Sequence, residues 1–524
     1  MLKLEWLNLY KYRRQHKTSS LSQVSEATGI AASTIAYHDK RQRLRSEQSG
    51  TTFWDTEEGQ VLLKRMIISL LYTFGIKGGV GAGRIKEHLE NLCLSDIVAL
   101  SRSSILRMMV EICSAILLYK QLQEEALLSD LGALKDIELV LGVDETWLAE
   151  MILVCQDLPS GYLFFEQESN NRDTDTWFKA IKEQVLSWGM RIKGLVSDRA
   201  TALVKLEKLE YLNTISCSDL FHFGQDIGKM IGLQLGKKRA QVLKKWQSAK
   251  AKGEEDFKEA FEQIDKHYQT YRQQIRQINK TVHPLNEQDE WSSEAEVSKG
   301  LYTCVTSIGR LSSEVAIDIS VEKASKVTNQ IPSIAKSVQH WIDQTKQQLQ
   351  DWVNEQRITW QEHEWLRICA LPYVYWQIQL IKTQAKASNQ ELRADYKKRA
   401  ALAEQRYQTH ELSSQIDENR QKELLLMAHQ QAISFQRASS QTEGRNGYLA
   451  FVNHAHRGFP KDRLKVLTVI HNYDIKRTDG STPAQRLFKR EFPDLFEFIC
   501  ENVTGFKEPK SRKRKALKIN ILQR

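Results

Sequence analysis

The sequence predicts an α/β core interrupted by a large all-α insertion and preceded by a helical region of helix-turn-helix character. Three observations carry this. Short apolar runs of strand length are confined to residues 137–215. Over residues 225–440 the strands vanish, and Lys, Gln, Glu and Arg surround apolar residues at helical spacing. The 524 residues include only 8 prolines and 25 glycines, which favours helix. A content of 41% hydrophobic and 27% charged residues excludes a wholly disordered chain, a collagen and a small disulfide scaffold.

Taken in order, residues 1–50 are a basic region. Leu21, Val24 and Ala27 fall at helical spacing, Gly29 breaks the helix, and Ser33 is placed to cap a second helix burying Ile35 and Ala36. Helix, short Gly turn, helix is a helix-turn-helix signature, though a plain αα-hairpin shares it. Read as DNA-binding, it would turn Ser33, Thr34, Tyr37, His38, Lys40, Arg41 and Arg43 towards the major groove and phosphates. Residues 51–130 repeat the pattern more weakly. Helices are expected from Arg84 and from Leu94, and a third, capped by Ser101, would present Arg102 and Arg107. A helical bundle is the alternative. The glycines between 78 and 83 lack a GK[ST] ending and a preceding strand, so they read as a turn. Residues 66–76 read as a buried core helix, because no apolar run reaches the roughly 18 residues a bilayer needs. The N-terminus has no secretory pattern.

Residues 131–224 carry the strands. A first strand, 137–144, runs into an acid; a second spans 151–155; a Pro-Ser-Gly turn leads to a third at 162–165. Thr174 caps a helix bearing Trp177, Phe178, Ile181 and Val185. A fourth strand, 192–196, ends at Asp198; a short helix covers 200–206, a fifth strand 212–215, and residues 218–222 open a helix. Three antiparallel strands, helix, strand, helix, strand is the order of an RNase H-like sheet. Residues 225–436 form the insertion, whose Trp341, Trp352, Trp360, Trp365 and Trp376 suit a bundle core. Residues 437–500 return to the core: Ser439 or Ser440 caps a helix with Glu443, Asn446, Leu449 and Val452, and a second helix spans 464–472. Residues 501–524 are a basic tail.

The net charge of +10 sits at the ends. The first 50 residues hold nine Lys/Arg and four Asp/Glu, and residues 505–524 hold eight and one, so the remainder is slightly acidic. Basic ends fit a polyanion, nucleic acid first, and Lys513 and Arg514 in the tail are candidate phosphate contacts. Two solvated tails are the bland reading. Seven scattered cysteines without a CxxC fit reduced thiols and no zinc knuckle.

Three carboxylates stand at telling places: Asp144 at the end of the first strand, Asp198 at the end of the fourth, and Glu443 on the first helix after the insertion. If strands one and four are parallel neighbours, Asp144 and Asp198 meet and repel unless a cation lies between them. Hard oxygen ligands suit Mg²⁺ or Mn²⁺. Two such ions, about 3.5–4 Å apart, activate an attacking oxygen and stabilise the leaving oxygen at a phosphodiester. Asp198 has a simpler reading as a helix cap.

These residues resemble those of DDE transposases, whose catalytic domain is an RNase H-like, retroviral-integrase-like fold. The first acid matches Asp144 in Gly-Val-Asp-Glu-Thr-Trp, the second Asp198 in Leu-Val-Ser-Asp-Arg-Ala, and the third Glu443 in Arg-Ala-Ser-Ser-Gln-Thr-Glu-Gly-Arg-Asn. The last segment is similar to the Arg-x-Ser-Ser-x-x-Glu-x-x-Asn pattern of several insertion-sequence transposases. Asp219-Leu220-Phe221-His222 resembles the (Cys/Asp)-x-x-His signature of the hAT, P-element and Kolobok groups, whose insertion also lies between the second and third acids. The resemblance implies metal ligation by Asp144, Asp198 and Glu443, with Asp219, His222 and Asn446 as accessory residues. Arg199 and Arg445, beside the acids, are candidate phosphate clamps. His222 has a plain packing role as its alternative, and zinc on Cys217 and His222 finds no second ligand pair.

The expectation is therefore a transposase with two Mg²⁺ or Mn²⁺ ions. It would cut its element's terminal inverted repeats, join them to target DNA, and work as a homodimer or larger assembly with no membrane partner. A prokaryotic cytoplasmic, nucleoid-associated location is expected, although residues 510–515 also resemble a nuclear import signal. A catalytically inactive DNA-binding derivative and a metal-dependent nuclease without joining activity are the alternatives.

Overall fold

Five strands form one mixed sheet in the order β3-β2-β1-β4-β5. In this computed structural model β1 (Glu138–Trp147), β2 (Met151–Asp157) and β3 (Leu163–Glu168) are antiparallel, while β4 (Arg191–Ser197) and β5 (Ile215–Ser218) run parallel to β1. The residues described are 20–36, 56–92, 94, 97–98, 101–148, 150–198, 200–206, 215–252, 255–383, 385–456 and 462–504. β2 is buried along its whole length and β1 over residues 139–144, which is why both read as unbroken apolar runs.

Between β3 and β4 lies α1 (Thr174–Gln184). Its cap is Asp173, which accepts from Thr176 N at 2.8 Å, and not Thr174 as expected; a carboxylate one position earlier reaches the free amides of the first turn. α2 (Thr201–Leu206) follows β4. β5 pairs with β4 from Gly194↔Ile215 to Ser197↔Ser218, and residues 212–214 of the expected fifth strand lie outside the described residues. It leads at once into α3 (Leu220–Ile227).

The insertion is helical throughout, with α4 (Leu233–Lys250), α5 (Lys258–Thr281), α6 (Glu294–Glu314), α7 (Ile331–Asn354), α8 (Leu371–Lys382), α9 (Gln390–Thr409) and α10 (Glu418–Ser434) as its main members. Trp341, Tyr375, Trp376 and Tyr396 fill one core, and Trp352 and Trp365 a second. Trp360 is 60% exposed and belongs to neither. The first core also contains Leu220, Phe223 and Ile227, so the insertion's packing begins within α3, ahead of the expected boundary at 225. After α10 the chain enters α11 (Ser440–His456).

Two packing units result: residues 130–447, and residues 1–129 with 448–524. The expected last part of the core, 437–500, thus ends at 447. Leu464, Val466, Leu467, Val469 and Ile470 of helix Arg463–Tyr473 are buried, and Tyr473 packs edge-on against Tyr119, 5.3 Å between centroids. Helix Glu57–Leu70 continues as a π-helix to Lys77. Among the described residues this stretch passes the length and composition test for a membrane span, which the shorter apolar run read from sequence did not. Leu63, Ile67, Ile68, Leu71 and Ile76 are nevertheless buried, Lys64 donates to Cys500 O at 2.5 Å, and Arg65 pairs with Glu497.

Helix Leu21–Thr28 has a Ser20–Gln23 capping box and ends at Gly29 in the left-handed region, φ 70°. Val24 and Ile35 pack across the turn with Ile30, as a helix-turn-helix requires. The next helical segment starts at residue 32, so Ser33 lies inside its first turn and does not cap it; Ile35 N already bonds Ala31 O at 3.1 Å. Ser33 is exposed, and Thr34 and Ala36 are half-buried. Tyr37, His38, Lys40, Arg41, Arg43, Lys513 and Arg514 lie outside the described residues, as does Arg199. Arg102 and Arg107 are exposed at the start of helix Arg102–Leu128, whose cap is Ser101 as expected. That helix runs for 27 residues, because the buried stripe through Ile105, Met108, Ile112, Ile116 and Tyr119 extends past the short recognition helix read from sequence.

Candidate functional site

Asp144 lies on β1 opposite Val154 of β2 and is 7% exposed. The first two turns of α11 are laid across the strands beside it. Gln441 Nε2 donates to Leu158 O at 3.0 Å, and Thr442 Oγ1 bonds Gln156 Oε1 at 3.3 Å. Arg445 donates through Nε and an η nitrogen to both oxygens of Glu166 on β3, at 2.7 and 2.8 Å. Asn446 Nδ2 donates to Asp144 Oδ2 at 2.8 Å. The close approach depends on Gly142: a Cβ there would stand 2.6 Å from Leu158 Cδ2 and 3.0 Å from Thr442 Oγ1.

This docking brings Glu443 to Asp144, and α3 supplies His222. One ligating atom from each of Asp144, His222 and Glu443 fits within 4.8 Å. His222 Nε2 is 3.3 Å from Glu443 Oε1 and 3.7 Å from Asp219 Oδ2. Burial pushes the Asp144 carboxyl up to about 7, and the Glu443 carboxylate beside it pushes in the same direction. The Glu145 amide, 2.9 Å from Asp144 Oδ1, and His222 oppose this, while Asp198 adds to it.

Asp198 follows the end of β4. Gly142 pairs with Val196, so Asp144 and Asp198 stand at matching positions two residues further along. Asp198 is exposed and accepts from Ala200 N at 2.9 Å, as a carboxylate does before a helix. It lies outside the tight group formed by Asp144, His222 and Glu443.

Asp219 is buried at the N-terminus of α3. It accepts from Phe221 N at 2.8 Å and from the hydroxyl of Ser439, so it anchors the helix that carries His222. Burial raises its carboxyl, and these hydrogen bonds offset part of the rise. The expectation for Arg445 is corrected. Its guanidinium is held by Glu166 in a buried, bidentate pair, which fastens α11 to β3 and occupies the donors a phosphate clamp would use.

The sequence reading overlooked Ser439, Gln156 and Glu166 as parts of the site. An acid directly after the apolar Phe164-Phe165 was the one signal for Glu166. The donor set fits a divalent cation. Two carboxylates and an imidazole crowd together, and among the described residues Asn446 Oδ1 and His222 Nε2 are buried without a hydrogen-bond partner. Carboxylate and amide oxygens with one imidazole suit Mg²⁺ or Mn²⁺, and no thiol enters the group.

No curated protein and no solved structure matches the chain. A family model described as "Family of unknown function (DUF6399)" matches residues 366–516, which takes in the later insertion, Glu443, Arg445 and Asn446 and leaves Asp144, Asp198 and His222 outside.

Proposed function

We propose that this chain is a divalent-metal-dependent enzyme that cuts and joins DNA, of the DDE transposase kind, with an RNase H-like core. The observation that carries the reading is the convergence of Asp144, His222 and Glu443, from β1, α3 and α11, on one end of a sheet ordered β3-β2-β1-β4-β5. Parallel pairing of β1 with β4 adds Asp198 at the matching position. The paired packing of Val24 and Ile35 and the basic ends support DNA, the element's terminal repeats and its target, as the partner.

Bound Mg²⁺ or Mn²⁺ would supply charge stabilisation at the phosphodiester and a water of lowered pKa. The chain's own groups set the rest. Asp144 and Glu443 are the anionic ligands, and Asp198 is the acid available to a second ion. Asn446 fixes the Asp144 carboxylate through Oδ2. His222, whose Nε2 lies 3.3 Å from Glu443 Oε1, would be the neutral ligand that completes the group. Arg445 and Glu166 keep α11 seated.

The test is cleavage of labelled DNA carrying the gene's own flanks, with Mg²⁺ or Mn²⁺ and with EDTA, comparing wild type with Asp144→Ala. Metal-dependent cuts at defined ends, absent in the variant, are expected, followed by joining of the 3′-hydroxyl ends. Cuts without joining would identify a nuclease. Sequence-specific binding with no cleavage would identify a DNA-binding derivative.

A further inference from the structure

The segment between α10 and α11 is extended and crosses the junction of insertion and site. Arg437 sits in it, and its two ends make different bonds. One η nitrogen donates to Asn279 O at 2.6 Å and Val282 O at 2.9 Å, and the other to Tyr396 Oη at 3.0 Å. The two carbonyls belong to the end of α5, where unpaired C=O groups and the helix dipole favour a cation. Among the described residues Arg437 has no carboxylate partner, and this helix end takes that place. His283, whose Nε2 lies 3.3 Å from Arg437 and 2.8 Å from Tyr396 Oη, closes the group, and burial holds its pKa well below the usual value.

The backbone of Arg437 faces the site. Its carbonyl accepts from Leu220 N at 2.9 Å, the first amide of α3. Two residues on, Ser439 gives its hydroxyl to Asp219, and its carbonyl receives Glu443 N at 3.1 Å. The elements that carry His222 and Glu443 are therefore tied to one short strap, and the strap is tied to the insertion by the Arg437 guanidinium as its polar anchor, beside Phe435 and Ala438 packed on the insertion core.

We propose that Arg437 is a positioning residue through which the insertion sets the spacing of His222 and Glu443, so that the metal site is complete only while α5 and α9 grip it. The inference rests on the site proposed above. Arg437 touches neither metal nor substrate; it acts through Leu220, Ser439 and the helices that follow.

Two measurements on the full chain test it. Hydrogen exchange by mass spectrometry reads the coupling without any metal. Arg437→Met is expected to speed exchange in peptides covering 219–227 and 440–447 while the sheet peptides 138–157 stay protected. Mn²⁺ titration by calorimetry reads the site. Arg437→Met is expected to weaken Mn²⁺ by about 10–100-fold, the usual effect of losing a group that orients metal ligands. Arg437→Lys keeps the charge at the α5 end without the planar fork, and should recover part of the loss. Tyr396→Phe preserves the ring and removes one hydroxyl, and should weaken Mn²⁺ by about threefold. Unchanged exchange in 219–227 and 440–447 in Arg437→Met overturns the proposal, as does general loss of protection with no recovery in Arg437→Lys. If Arg437→Met fails to fold, Tyr396→Phe decides by the same readouts. Mn²⁺ binding that Asp144→Asn leaves intact would instead sink the site reading, and the exchange data would still judge the strap.

Discussion

Asp144 and Asp198 each lie two residues beyond the last pair, Gly142↔Val196, of neighbouring parallel strands, yet their surroundings are opposite. Asp144 is buried under α11, bonded by Asn446, crowded by Glu443 and raised to about 7. Asp198 is exposed and spends one oxygen on the amide of Ala200. The difference teaches that a shared register does not make two acids equivalent. On the proposed reading, Asp144 is the inner ligand whose charge costs most without a cation, and Asp198 is the outer one, open to a second ion.

The largest expected effect breaks the pair at its buried member. Asp144→Asn should reduce cleavage to background while gel-shift binding of the flanking DNA stays intact. At pH 8 and without divalent ions the same variant should melt above wild type, because it removes a buried carboxylate charge. Asp198→Ala should also abolish cleavage, but calorimetry should show Mn²⁺ still bound at Asp144, His222 and Glu443, within about tenfold of wild type. Equal loss of Mn²⁺ in both variants would erase the inner and outer distinction.

Next comes the fastening that keeps Asp144 covered. Glu166→Gln leaves the buried Arg445 without its counter-charge and should cost about 3–5 kcal/mol in urea unfolding. A value near zero would mean that α11 is held by its other bonds. The remaining effect is in pH. Asp144 is raised from 3.8 to about 7 on folding, so its contribution to stability is fully present below about 4 and falls away as pH rises to about 7. A divalent ion competes with the proton. Mn²⁺ affinity should therefore rise about tenfold per pH unit below 7 and level off above it. An affinity flat from pH 5.5 to 8 would place the titrating group elsewhere.

Much of the sheet was legible because β2, most of β1 and the first four residues of β3 are buried, and such burial leaves apolar runs. Asp144 stood out as the acid ending such a run. The run of β5 as far as Ser218 was not legible because Ser216 and Ser218 carry no apolar signal; pairing with β4 defines it. The role of Arg445 was unreadable because its partner Glu166 lies 279 positions away, and only docking of α11 unites them. Asp219 and His222 were found through a motif, whereas the distance between His222 and Glu443 depends on α3 entering the insertion core. The unit boundary at 447 falls inside α11, where helix periodicity runs on without a break.

If the chain works as proposed, Gly142 has a further consequence for telling working copies of such a gene from decayed ones. Its backbone is ordinary extended strand, so any residue could adopt it; what crowds a side chain is Leu158 after β2, with Cδ2 2.6 Å from the Cβ, and Thr442 of the helix resting on the strand, with Oγ1 3.0 Å away. A chain that keeps all three acids but carries valine at that position would keep every chemical group of the site, yet Leu158 and Thr442 would have to give way before α11 could rest over Asp144. Screens that score only the acids would count it as active. Adding this one steric filter separates sequences that can assemble the site from those that merely retain its letters.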